Sequence, residues 1–163
     1  MQTDAEAETP KLVTPADGVY VRQEIDNIGW AVCGDEVVVV DALERPELKN
    51  EVFRQIRETV GSRPVARVLN THTHYDHVAL NAAFEREFGA EIVNARTREL
   101  PPDGISVGTP VREVKMIPLP HCHTPEDCIV WVPDAKVLLV GDIFGWGLIP
   151  WDRPLTPEAR DRL

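Results

Sequence analysis

Histidine is scarce in this chain, five in 163 residues, and so are cysteine, with three, and lysine, with four against thirteen arginines. Each shortage excludes something. Cys33, Cys122 and Cys128 are an odd set, and residues 1–10 carry neither the basic start nor the apolar core of a secretory signal, so structural disulfides are not expected. No apolar run approaches the ~20 residues that a bilayer-spanning helix needs. The expectation is a cytoplasmic protein with no membrane partner. Basic charge is also short: 27 acidic residues outweigh 17 basic ones, for a net charge of −10, which argues against nucleic acid as partner. An acidic, lysine-poor chain suits a high-salt cytoplasm and an ordinary one alike.

What is present belongs to one globular unit. The apolar fraction of 43% is ordinary, and 14 Pro with 10 Gly point to many loops. Residues 1–16 read as a polar arm and 17–163 as a single domain. Strands are expected over 18–23 and 27–33, then at the four valines 37–40, whose two apolar faces suit a sheet covered on both sides. A helix from Pro46 to about Val60 has Pro in its first turn, Gly61 as its stop and one apolar stripe. A strand over 65–70, a helix over 80–88, a strand over 91–94 and a short helical piece to Leu100 follow. Strands are then expected near 105–107, 111–119, 128–132 and 136–140. Thr156-Pro157-Glu158 has the grammar of a helix start. The alternation makes the fold class α/β (α+β by some schemes).

The scarce histidines are concentrated. His72, His74 and His77 join Asp76 in the pattern His-x-His-x-Asp-His, on the loop after a strand. By chance this pattern would arise in a chain of this composition with a probability of about 3 × 10⁻⁴. Imidazoles and carboxylates are the donors that zinc and related divalent metals favour. Two further strand ends carry such groups: His123, in Pro120-His121-Cys122-His123-Thr124-Pro125-Glu126-Asp127, and Asp142, after Gly141. Six donors exceed the needs of one structural metal.

With Thr71-His72-Thr-His74-Tyr-Asp76-His77, His123-Thr-Pro-Glu-Asp127, Val140-Gly141-Asp142 and the valine strand ending in Asp41, the chain resembles the metallo-β-lactamase-fold hydrolase superfamily over residues 17–150. That resemblance implies an αββα sandwich with metals at one edge of its sheets. His72, His74 and His123 would hold one ion, Asp76 and His77 a second, and Asp142 would bridge them. It also implies a zinc-dependent hydrolase, with one or two ions (iron or manganese being possible), acting on a small-molecule ester, thioester, lactone, amide or phosphodiester. Asp76 would orient the attacking water as the catalytic residue.

The family's further downstream histidine has no counterpart, since none follows His123, and the sandwich reads as incomplete at its C-terminal end. His121 and Cys122 are candidate replacements, and Asp41 is a candidate support for the metal loop from behind the ligands. Two alternatives stand: a non-catalytic or partner-dependent metal-binding domain, and a mononuclear iron oxygenase of the same fold. The apolar group Trp146, Leu148, Ile149 and Trp151 suggests a homodimer contact.

Overall fold

The computed structural model describes residues 10–144. Six strands form the first sheet: β1 (Lys11–Ala16), β2 (Val19–Gln23), β3 (Ile28–Cys33), β4 (Glu36–Val40), β5 (Val65–Leu69) and β6 (Glu91–Val93). They lie side by side in chain order; β1 to β4 are an antiparallel meander, whereas β5 and β6 run parallel to β4. Parallel neighbours need crossovers, and helices supply them. A 3₁₀ turn at Pro46–Leu48 leads into α1 (Lys49–Val60) between β4 and β5. Between β5 and β6 come the short α2 (Tyr75–Val78) and then α3 (Asn81–Phe88). The second sheet is antiparallel, in the order β10-β9-β8-β7, from β7 (Ile105–Thr109), β8 (Arg112–Pro118), β9 (Cys128–Val132) and β10 (Val137–Leu139).

The valine strand explains the layering. Val37 and Val39 point to the helices and join Trp30, Phe53, Ile56 and Phe84 in one core. Val38 and Val40 point the other way, into a second core with Val114, Met116, Val130 and Val132 of the second sheet. A strand apolar on both faces is stable only where both are covered, and here both are. On α1 the stripe Val52, Phe53, Ile56 and Val60 is buried, and Phe53 packs its ring 4.7 Å from Phe84 and 4.9 Å from Phe88.

Three expectations shift. Residues 11–16, expected within the arm, form β1, paired with β2 from Lys11↔Gln23 to Ala16↔Val19. Thr14 and Pro15 hid the alternation; an edge strand tolerates proline at an irregularity, and the register slips between Val13 and Ala16. The helix expected over 80–88 is α3, and it is preceded by a short helix that was not expected, α2. The helical piece expected to Leu100 is instead a turn in which the Asn94 side chain accepts from the N–H groups of Arg96 and Thr97. Among the described residues the architecture is α/β, a helical layer on two facing sheets. The fourth layer, the Thr156 helix start and the Trp146–Trp151 group fall outside the described residues. No helix among the described residues is long and apolar enough to cross a membrane.

Candidate metal centre

Four strands end on the same edge. β4 and β5 run parallel and deliver Asp41 and the His72–His77 loop, while β8 and β10 of the other sheet deliver His123 and Asp142. This is the edge where layered α/β folds gather their chemistry. The two halves are tied together at the backbone, where Cys128 N–H donates to the Thr71 carbonyl at 2.6 Å.

His72, His74 and His123 meet: His74 Nδ1 lies 3.2 Å from His72 Nε2 and 3.2 Å from His123 Nε2. One proton satisfies one pair of these nitrogens at a time, whereas a cation would satisfy all three. His72, Asp76 and His77 form a second group of donors within 4.8 Å of one another. Asp142 stands between the two. Its Oδ2 is 3.6 Å from His123 Nε2 and 3.9 Å from His72 Nε2, and its Oδ1 is 3.2 Å from His77 Nε2. The donor set fits one or two divalent ions. His121 and Cys122 are not in either convergent group among the described residues. His121 is exposed, with its backbone in the left-handed region at φ 70°, and its N–H is bound to the Thr124 carbonyl.

The electrostatics carry the same mark. Burial, helped by His77, pushes the His72 imidazole down to about 4. His77 is buried too, yet Asp142 and then Asp41 outweigh that burial and push it up to about 10. Without a metal ion, a protonated His77 is thus the cation that Asp41, Asp76 and Asp142 share, at 3.0, 3.8 and 3.2 Å. In return His77 holds the Asp142 carboxyl below its ordinary range. Asp26, on the loop between β2 and β3, is pushed up to about 6 by partial burial and then by Glu44 and Asp76.

Supporting side chains orient the donors. Asp41 is only 5% exposed and sits in the left-handed region at φ 61°, which aspartate tolerates. Its carboxylate accepts from Thr71 N–H at 2.8 Å and from the Thr71 hydroxyl at 2.9 Å. It also lies 3.0 Å from His77 Nδ1, which finds no well-aligned acceptor. Gly141 makes room: a Cβ there would collide with Thr71 Oγ1.

Sequence reasoning missed three further supports. Asn70 donates to the His77 carbonyl at 2.9 Å, and its Oδ1 accepts from Asn81 and Asn94, so three asparagines brace the loop. Asp127 accepts from the N–H groups of His123 and Thr124 and from the Thr124 hydroxyl. Glu126 accepts from Thr73 Oγ1 at 2.7 Å and from Arg96 in bidentate fashion, which ties His123's loop to His74's. A Thr followed three residues later by Asp, directly after a candidate ligand, could have signalled Asp127; nothing local pointed to Arg96.

Comparison with known proteins agrees with this geometry. A family model, the metallo-β-lactamase superfamily, matches residues 26–104. A hydroxyacylglutathione hydrolase of Brucella anthropi is 31% identical over 100 residues, which is 55% of this chain and 38% of that protein. Among solved structures, a β-lactamase from Chitinophaga pinensis superposes with a TM-score of 0.64 at 18% identity, over 81% of this chain and 60% of that one. The rubredoxin oxygen:oxidoreductase of Desulfovibrio gigas gives 0.65 at 16% identity, over 80% of this chain and 40% of that one. The chain thus spans less than two thirds of each of these proteins. It has the metallo-β-lactamase fold, and its residues 26–104 match the model of that superfamily.

Proposed function

We propose that the chain is a zinc-dependent hydrolase that cleaves an ester, thioester, lactone or related acyl bond of a small molecule. In this reading His72, His74 and His123 hold one ion, Asp76 and His77 hold a second, and Asp142 lies between them. The observation that carries it is the position of Asp142, with one carboxylate oxygen facing His72 and His123 and the other facing His77. Divalent ions held there would supply Lewis acidity toward the substrate's carbonyl oxygen and lower the pKa of water to about 7.

The chain's own groups do the rest. Asp76, half-buried in the first turn of α2, is a proton acceptor that can orient the attacking water. Asp41 and Asn70 keep the His72–His77 loop in one conformation, so the donors need not reorganise on binding. Asp127 does the same for His123. On the resemblance of the hydroxyacylglutathione hydrolase relative, a thioester is the first bond to assay.

Metal analysis of the purified full chain, with a panel of ester, thioester, lactone and phosphodiester substrates, tests the proposal. Two zinc ions per chain and a hydrolysis that His74→Ala abolishes are expected. One ion or none, with no turnover of any substrate, would favour the partner-dependent or non-catalytic metal domain. Iron with oxygen consumption would favour the oxygenase reading.

A further inference from the structure

A groove of about 450 Å³ opens beside Asp76, His77 and Asp142, between the β1–β2 hairpin with its following loop on one side and β10 on the other. Much of its lining is apolar, with Val13, Val21, Ile25, Val137, Leu139 and Phe144, and polar groups such as Gln23, Asn27 and Asp26 are interspersed. Ile25 is 72% exposed and Phe144 60% exposed, although only five large apolar side chains among the described residues are exposed at all. Three of the five, Ile25, Leu138 and Phe144, thus lie along one groove next to the donor cluster. Side chains of this kind left open to water beside a reactive centre suit a ligand that covers them.

Charge narrows the ligand. No lysine or arginine lines the groove. Its charged groups are Asp41, Asp76, His77 and Asp142, which belong to the donor cluster and its support, and Asp26 alone on the wall beyond them. The arginine at the centre, Arg96, borders a separate opening beside His74 and His123 and is held by Glu126. A carboxylate or phosphate at the far end of the groove, away from His77 and the donor cluster, would lose its hydration without a cation in return, and would face Asp26. An uncharged alkyl group would lose nothing comparable and would cover Ile25 and Phe144.

We propose that this groove is the subsite for an uncharged, apolar acyl group, so that the substrate is a neutral fatty-acyl-type ester, thioester or lactone, with Ile25 and Phe144 as its specificity-determining side chains. This rests on the hydrolase reading above. The polar end of the bound acyl compound would lie toward Asp76, His77 and Asp142, where the scissile bond is needed.

Binding to the full chain, read by calorimetry and by NMR shifts at residue 25, tests this apart from catalysis. The probes are N-methyloctanamide and 8-(methylamino)-8-oxooctanoate, which share an N-methylamide end and differ by a carboxylate at the far end of the acyl chain. N-methyloctanamide is expected to bind at least ~10-fold more tightly than the carboxylate probe. Ile25→Asp should weaken the neutral probe by ~10-fold, and Ile25→Lys should narrow or invert the preference. The position is exposed, so neither variant threatens the fold. Equal binding of both probes, or an Ile25→Asp variant that binds as the parent does, overturns the proposal. So does neutral-probe binding that emerges only after Trp146→Ala and Trp151→Ala, because the chain's own segment would then be the occupant. A chain that holds no metal yet binds the neutral probe would sink the hydrolase reading alone.

Discussion

Replacing Asp127 is the sharpest test of how this site is built, because the residue touches no donor atom and yet holds one in position. Its carboxylate is 2% exposed and accepts from His123 N–H at 2.5 Å, Thr124 N–H at 2.7 Å and the Thr124 hydroxyl at 2.7 Å. Hydrogen bonds to a charged group contribute ~1.5–3 kcal/mol each, and an orphaned buried donor costs ~1–3 kcal/mol. His123 is half-buried, so its N–H can recover water; Thr124, 8% exposed, cannot. Asp127→Ala should therefore lose about 3–4 kcal/mol of folding stability, inside the ~5–15 kcal/mol that a domain has available. Asp127→Asn keeps an oxygen for the two N–H groups and turns its amide toward the Thr124 oxygen, so only the charge assistance is lost, about 1–2 kcal/mol. Loosening His123 should weaken zinc ~10–100-fold in the alanine variant, as removal of an orienting partner does, and less in the asparagine variant. Urea unfolding of the metal-free chain and zinc titration against a competing chelator measure the two effects separately. An alanine variant matching the parent in both would refute the reasoning.

Gly141→Ala should damage the centre from the other sheet. Its φ is +56° and the new Cβ would press on Thr71 Oγ1, so Thr71 must leave Asp41; a stability loss of about 2–3 kcal/mol is expected, with His77's side of the centre losing metal first. Burial pushes the Cys33 thiol up to about 11 and the Cys128 thiol up to about 12, so neither should react with a thiol reagent at pH 8 in the folded chain. Because the same thiols ionise near 9.0 once unfolded, stability should be intact below pH 9 and fall as pH rises toward those values; a urea midpoint that does not move between pH 8 and 10.5 would contradict this. Arg22 is fully buried and bonded to Glu24, Glu51 and Gln55 on the helical side of the sheet. Arg22→Ala should lose about 3 kcal/mol, because buried Glu24 is left with Arg45 alone as its cation, while the metal content of the folded fraction stays unchanged.

What was legible in the residues follows from distance along the chain. His72, His74, Asp76 and His77 sit within six positions, so the pattern announces itself, and the doubly apolar strand 37–40 fixes the sheet between two cores for the same local reason. The supports are long-range. Thr71 meets Asp41 across 30 residues, Asn70 meets Asn94 across 24, and Thr73 meets Glu126 across 53. Each is a common polar type with no periodicity, and only the fold brings the pairs together. Pro15 hid β1 because a proline rules out a central strand but not an edge one.

The same distinction bears on the second ion. A ligand inventory taken along the chain finds the second group short of a histidine, but charge is shared in space. Around His77, three carboxylates converge from the ends of β4, β5 and β10. Such a group binds a proton tightly when it lacks a metal, as the raised His77 shows, and a divalent cation competes for the same field with twice the charge. The electrostatic demand for a cation at this position is therefore present among the described residues. A water or substrate oxygen can complete a coordination shell there, whereas His77 is the side chain that faces all three of Asp41, Asp76 and Asp142.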